Sequence, residues 1–314
     1  MRTAVTTQSL FDAAQAIRAG KLVSFPTETV YGLGADATND RAVARIYEAK
    51  GRPSFNPLIA HIASMAQART IGVFDERAEK LASAFWPGAL SIIVPIKEGA
   101  TISSLVTAGL DSIALRMPAP SPVRDLIAQA GVPIAAPSAN KSGRISPTLA
   151  SHVEEDLGDA CAYILDGGAC EAGVESTIID CASDQLQILR PGPVTAEMIA
   201  THCPELATEK AVVNNSTPNA PGQLSSHYAP QKPVRLDVTT PQEGDITIGF
   251  GPSSYKVDFT LSETGDVIEA AANLFAVLHQ ADKTEGTTIA IAPIDKTGIG
   301  AAIHDRLMRA AADR

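Results

Sequence analysis

Between Pro137 and Thr148 the chain sets Ser138, Asn140, Lys141, Ser142, Arg144 and Ser146 around Gly143, directly after the apolar run Val132 to Ala136. Hydroxyls, backbone N–H groups and two cations suit a ligand with negative oxygens, because the cations neutralise an anion that the smaller donors surround. Ser146 followed by Pro147 reads as an N-cap and first helical residue, which would aim the positive end of a helix at the same space. The composition equally suits a solvated loop. Repetition is what favours a site. Lys50 and Arg52 flank Gly51 in a proline-stiffened loop, where cations two apart can converge on one anion, although an exposed helix end with a cationic cap would look the same. Arg116 and Arg190 stand where apolar strands end, and the segments around Thr27 and Ser176 put hydroxyls at two further strand mouths.

Other chemistries find less support. No G-x-x-x-x-G-K-[ST] run is present, which excludes the standard phosphate-binding loop, and no covalent nucleophile stands out. Gly32-x-Gly34-x-x-Ala37 matches the dinucleotide fingerprint only superficially, since six residues separate Phe25 from Gly32; the glycines read as a turn and close-packing device. His61, alone at a strand end, has a structural reading as well as a functional one. Cys161, Cys170, Cys181 and Cys203 are too widely spaced for a zinc or dithiol site and read as reduced, buried thiols. A net charge of −10 argues against blanket neutralisation of nucleic-acid phosphates.

The elements that must position these groups follow from periodicity. Helices are expected over Ser9 to Gly20, from Asn39 or Asp40 to Lys50, over Asp75 to Phe85, from Ser121 to Gly131 and from Ser146 to Gly158. Strands are expected at Leu22 to Phe25, from Leu58 through His61, and at Ala89 to Ile96, Asp111 to Leu115, Val132 to Ala136, Ala162 to Leu165, Val174 to Asp180 and Leu186 to Leu189. Their irregular interleaving predicts a mixed sheet. Residues 207 to 232 have linker composition, but a plain tether would not need His227 and Tyr228 together. Beyond Pro233, strands at Val234 to Leu236, Ile246 to Phe250 and Thr288 to Ile291, with helices at Asp266 to Ala281 and Ile299 to Ala312, predict a smaller parallel α/β domain. The N-terminus carries no long apolar stretch and no later run reaches membrane-spanning length, so a soluble, cytoplasmic protein is expected.

Phe25-Pro-Thr-Glu-Thr-Val-Tyr-Gly-Leu-Gly34, Lys50-Gly-Arg52, Asn56-Pro-Leu58, Pro137-Ser-Ala-Asn140, Ser146-Pro-Thr148, Asp166-Gly-Gly168, Glu175-Ser-Thr177, Arg190-Pro-Gly192 and His227-Tyr-Ala-Pro230 occur in that order. Together they resemble the two-domain YrdC-like L-threonylcarbamoyladenylate synthases over essentially the whole chain. The resemblance implies a catalytic domain at 1–206 with a twisted mixed sheet and a concave cavity, a linker at 207–232 folding over it, and a smaller Rossmann-like α/β domain at 233–314. It implies a nucleotidyltransferase that turns L-threonine, bicarbonate and ATP, with nucleotide-bound Mg2+, into threonylcarbamoyl-AMP and pyrophosphate. Downstream enzymes would then modify an adenosine of tRNA, with no strong direct tRNA binding by this chain.

Position by position, the resemblance implies that Lys50 and Arg52 serve catalysis. Thr27, His61, Ser176 and the backbone at Ala136 would meet threonine. Lys50, Asn56, Arg116, Ser138, Asn140, Ser146 and Arg190 would hold the nucleotide, with His227 and Tyr228 as a lid; no resident metal site is implied. The chain departs from the family at Pro120-Ser121, where a His-Pro pair is common, and at Gln223-Leu-Ser-Ser226, where two cations are common. Two alternatives share the fold: a double-stranded RNA-binding protein, and a carbamoyltransferase-type maturation enzyme, whose zinc-finger cysteines are not in evidence here.

Overall fold

The computed structural model describes residues 1–206, 220–222 and 226–313. The expected linker therefore lies outside the described residues at 207–219 and 223–225. Among the described residues, ten strands build the larger sheet: β1 (Arg2–Ala4), β2 (Leu22–Phe25), β3 (Gly32–Asp36), β4 (Ile59–His61), β5 (Leu90–Pro95), β6 (Ser112–Arg116), β7 (Ile134–Ala135), β8 (Cys161–Asp166), β9 (Thr177–Asp180) and β10 (Gln187–Arg190). Their spatial order is β1-β8-β2-β3-β7-β4-β6-β5-β9-β10. β4 runs parallel to β6 and β5 to β9, while β2–β3, β3–β7, β4–β7, β5–β6 and β9–β10 are antiparallel, so the sheet is mixed as expected.

Register decides where the chemistry lands. Ile59 pairs with Ala114 and His61 with Arg116, Ser91 pairs with Ile178, and Ile178 with Arg190. Because side chains alternate along a strand, His61, Arg116, Ser91 and Arg190 share one face with Ile59, Ala114 and Ile178. Helices Thr7–Arg18 and Ser121–Ala130 pack on the β2–β3–β7 part of this face over Val23, Phe25, Ile134 and Ala136. The β4–β10 part is left for a cavity. The functional groups thus gather on one face, with His61, Arg116 and Arg190 each closing its strand and β4, β6 and β10 running the same way, so these three exits also lie at one end of the sheet, as expected.

Helix Asp40–Lys50 shows how sequence places them. Asn39 accepts from the N–H groups of Arg41 and Ala42, Val43, Ile46 and Tyr47 bury one side, and Gly51 stops the helix at φ +60, leaving Lys50 and Arg52 flanking the turn. Gly32 and Gly34 lie within β3 and make no turn. A Cβ on Gly34 would come 2.5 Å from Phe25 and 2.8 Å from Ile134, so only the close-packing half of that expectation holds. The Ser146-Pro147 cap is also corrected: the helix begins at Ala150, and Ser146, fully buried, donates its hydroxyl to Glu175 instead. Short helices at Met65–Ile71, Ser104–Thr107 and Ala196–Ala200 carried too little periodicity to be read.

The smaller sheet is parallel throughout, with β11 (Val234–Arg235), β12 (Asp245–Gly249), β13 (Phe259–Thr260) and β14 (Thr288–Ile291) in the order β11-β14-β12-β13. Helices Val267–Lys283 and Gly300–Ala310 contribute to its apolar core, which also takes in Val30, Ile145, Val174 and Tyr228 from outside this unit. The His279 ring stacks on His152 at 3.9 Å and meets the Ser146 carbonyl at 3.2 Å, and Gly173 lies against the backbone of helix Val267–Lys283. No helix among the described residues is long and apolar enough to cross a membrane.

Candidate active site

The cavity on the exposed half of the sheet face encloses about 560 Å3, its open mouth included, and most of the expected residues line it: Thr27, Arg52, His61, Arg116, Ala136, Ser138, Ser176, Arg190, His227 and Tyr228. Thr29, Val30, Glu175, Pro221 and Gly222, which sequence reasoning passed over as individual contacts, line it too. Lys50, Asn56, Asn140 and Ser146 are buried but outside its lining.

At one end stands the loop after β2. The Thr27 hydroxyl donates to the Val30 carbonyl at 2.7 Å and accepts from the N–H groups of Thr29 and Val30, so it is consumed in shaping its own turn. Thr29 is the hydroxyl that meets a cation: Arg116 Nη1 donates to its Oγ1 at 2.9 Å. The same guanidinium pairs with Glu28 at 2.7 Å and donates to the Gly88 carbonyl. His61 packs edge-on against Phe25, and burial, with Arg116 nearby, pushes its pKa down to about 3, leaving a neutral ring.

Across the floor, Arg190 holds the entrance to β9. Its Nε and Nη2 both donate to the Ser176 carbonyl, at 3.1 and 2.9 Å, and Nη2 also reaches Ser176 Oγ, which shares a hydrogen with Ser91 Oγ at 2.8 Å. Nη1 reaches the Pro221 carbonyl at 3.4 Å. Arg52 donates to the carbonyls of Asn56 and Pro57, and burial lowers its pKa to about 10, so it stays cationic at neutral pH. Lys50 does different work. Its ammonium, 4% exposed, donates to the carbonyls of Ser138 and Asn140 and so fixes the loop that presents Ser138. Burial and then Arg52 push its pKa well below the ordinary value.

The roof comes from beyond the first sheet. His227 and Tyr228 are buried, Tyr228 at φ +62, with the His227 N–H on the Arg309 carbonyl and the Tyr228 ring stacked on Phe275. Burial, then Arg52, Lys50, Arg190 and Arg309, drives the His227 pKa well below 6.5. Buried polar atoms without a hydrogen-bond partner among the described residues include Nδ1 of His61 and of His227 and the Tyr228 hydroxyl in the lining, and both amide atoms of Asn56 and Oδ1 of Asn140 behind it. Such groups are costly unless a ligand satisfies them.

Arg306 gave no sequence signal. It belongs to helix Gly300–Ala310, is 0% exposed, and reaches Glu175 Oε2 at 2.8 Å. In a helix of ordinary amphipathic pattern, an arginine gives no hint of a partner so far away in the chain.

His61, His152, His227 and His279, four of the chain's six histidines, all have pKa values lowered chiefly by burial. As pH falls through the ordinary value of 6.5, the unfolded chain takes up protons that the folded one refuses, so stability is complete above that pH and is lost below it. His61 alone, neutral down to about 3, should remove about 1.4 kcal/mol of stability per pH unit in that window. Thermal unfolding followed from pH 7.5 to 4.5 should show a steep fall beginning near 6.5; a flat profile would contradict the buried neutral rings.

The profile of a family described as telomere recombination matches residues 15–192, and that of threonylcarbamoyl-AMP synthase, C-terminal domain, matches residues 194–312. The threonylcarbamoyl-AMP synthases of Bacillus subtilis and Pyrococcus abyssi are each 42% identical over 96% of this chain, which covers 92% and 94% of theirs. The crystal structure of P. abyssi Sua5 complexed with L-threonine superimposes with a TM-score of 0.89 at 40% identity, over 99% of this chain and 96% of that one.

Proposed function

The chain belongs to the threonylcarbamoyl-AMP synthase family, and from that premise we propose that it condenses L-threonine, bicarbonate and ATP into threonylcarbamoyl-AMP with release of pyrophosphate. The observation that carries this reading is the coincidence, in one cavity, of three guanidinium groups with buried imidazole and phenol atoms that have no partner among the described residues. A ligand both anionic and rich in hydrogen-bonding groups satisfies such a set, as a nucleoside triphosphate beside a small amino acid does. Residues 1–206 are then the catalytic unit and 233–314 the second unit, and the described linker residues Pro221, Gly222, His227 and Tyr228, which stand between them in the chain, line the cavity.

We place threonine at the Thr29–His61–Arg116 end, with Ser176 and the Ala136 backbone beside it. The Arg116 fork matches a carboxylate, and neutral His61 neither repels the ammonium nor competes for that carboxylate. This moves Arg116 from the nucleotide to the amino acid. Arg52, Arg190, Ser138 and the Asn56, Asn140 and His227 groups are left for the nucleotide and its phosphates; Lys50 and Ser146 act from behind the wall. Threonine's amine and bicarbonate form a carbamate with loss of water. A carbamate oxygen then attacks the α-phosphorus, and the bond to pyrophosphate breaks. Both partners are anions, so holding them in line and neutralising their charge are the chief contributions of Arg52 and Arg190.

Mg2+ enters this reading as counter-ion of the triphosphate. Among the described residues no group of three His, Cys, Asp or Glu side chains is placed to hold a metal, and the carboxylates nearest the cavity, Glu28 and Glu175, are each paired with an arginine. No step is assigned to the ion. The product calls for downstream enzymes that deliver the threonylcarbamoyl group to an adenosine of tRNA, and hence for the cytoplasm. A double-stranded RNA surface would need an exposed basic stripe, whereas Arg52, Arg116 and Arg190 are each less than a tenth exposed.

The test is pyrophosphate release from ATP with threonine and bicarbonate each omitted in turn, the product identified with labelled threonine. Release is expected to need both, and release indifferent to threonine would overturn the reading.

A further inference from the structure

Among the described residues lining the cavity, Glu175 is the single carboxylate; the other charged members are Arg52, Arg116 and Arg190, with the neutral rings of His61 and His227. A bare carboxylate there would repel a triphosphate across a medium that screens poorly. It is not bare. Oε1 accepts the Ser146 hydroxyl from one side, and Oε2 accepts Arg306 Nε at 2.8 Å from the other, with Arg306 Nη2 on the Glu175 carbonyl at 3.4 Å. Arg306 is fully buried, also donates to the Pro191 carbonyl at 2.9 Å, and lies 5.4 Å from the centroid of the Tyr228 ring. One side chain from the second unit therefore ties together the cavity wall, the segment following Arg190 and the roof.

We propose that Arg306 is a positioning residue for the nucleotide: docking of the second unit supplies the counter-cation that cancels Glu175, and only then does the cavity accept a polyanion. This rests on the synthase reading. Glu175 itself has a purpose in the arrangement, since its carboxylate accepts the Ser146 hydroxyl and so fixes the segment that follows the Ser138–Asn140 loop. Paired, it is a rigid hydrogen-bond acceptor; unpaired, it is a buried anion facing phosphates. Asp305 backs the arrangement by pairing with both Arg306 and Arg309.

The test uses Arg306→Gln, Glu175→Gln and the double variant in the full chain. KM for Mg·ATP and for threonine is measured separately, with thermal unfolding of each variant alongside. Arg306→Gln should raise the ATP KM about tenfold or more, the effect of one uncompensated charge in a desolvated site, while the threonine KM moves less than about threefold. Glu175→Gln on top of it removes the anion with the cation and should bring the ATP KM most of the way back. A residue that merely props the fold would instead lower the unfolding temperature and leave the ATP KM alone, and that result overturns the proposal. So does a double variant that binds ATP no better than the single one. If Arg306→Gln does not fold, the double variant, with no charge left unpaired at Glu175, carries the decision: a tenfold rise in its ATP KM refutes the inference. Calorimetric binding of a non-hydrolysable ATP analogue to the same proteins keeps the two ideas apart. Wild-type protein that binds the analogue but forms no threonine-dependent pyrophosphate sinks the synthase reading, and the variants still decide the role of Arg306.

Discussion

Arg190→Ala is expected to lower threonine-dependent pyrophosphate formation about 10²–10³-fold, the usual loss when one preorganised donor facing developing charge is removed. The side chain acts in two ways. It is one of three guanidinium groups lining the cavity, and it donates twice to the Ser176 carbonyl and once to its hydroxyl. Alanine would leave that carbonyl without these donors and release Pro221 from its contact with Arg190. Stranding a buried acceptor costs about 1–3 kcal/mol, so a measurable drop in unfolding temperature should accompany the kinetic loss. Arg190→Lys separates the parts: it keeps the charge, loses the fork, and should fall between wild type and alanine. Rates and unfolding curves for the three proteins provide the check. An alanine variant within threefold of wild type would remove Arg190 from the chemistry.

The second large effect concerns how the two units meet. Gly173 has φ +67, and a Cβ there would sit 2.2 Å from the Ala271 carbonyl oxygen and 2.4 Å from that of Ala272, both backbone atoms of helix Val267–Lys283. Neither can yield as a side-chain tip would. Gly173→Ala should therefore cost about 3 kcal/mol or more, almost all of it at the contact between the units, since the first unit has its own core around Leu33, Ile46 and Leu115. The expected outcome is unfolding in two transitions with loss of synthase activity, because the undocked unit takes Arg306 with it. A single transition at the wild-type temperature would show that the helix can retreat without penalty.

Most of this architecture was legible from the chain alone. Capped helices such as Asp40–Lys50 and apolar runs such as Leu90–Pro95 announce themselves through period and punctuation, and the mixed sheet followed from their order. What escaped did so for definable reasons. β3 hides in a glycine-rich stretch because packing of Phe25 and Ile134 against bare backbone, rather than strand propensity, holds it in the sheet. Ser146-Pro147 has the local grammar of a helix start, but a buried carboxylate claims the hydroxyl. The Lys50-Gly-Arg52 pattern predicts a cation facing an anion, and no local pattern reveals that two carbonyls of the 138–140 loop accept hydrogen bonds from Lys50. The gathering of His61, Arg116 and Arg190 on one face is a matter of register between strands distant in sequence. For Arg306, the partner lies 131 positions away.

The Glu175–Arg306 pair bears on how far the first unit can be treated as a transplantable part. Cut free of the second, it would expose the apolar surface at Val30, Ile145 and Val174 and keep a carboxylate stripped of its partner in the cavity lining. A graft of residues 1–206 onto another scaffold would need glutamine at 175, or a new cation brought in from its host.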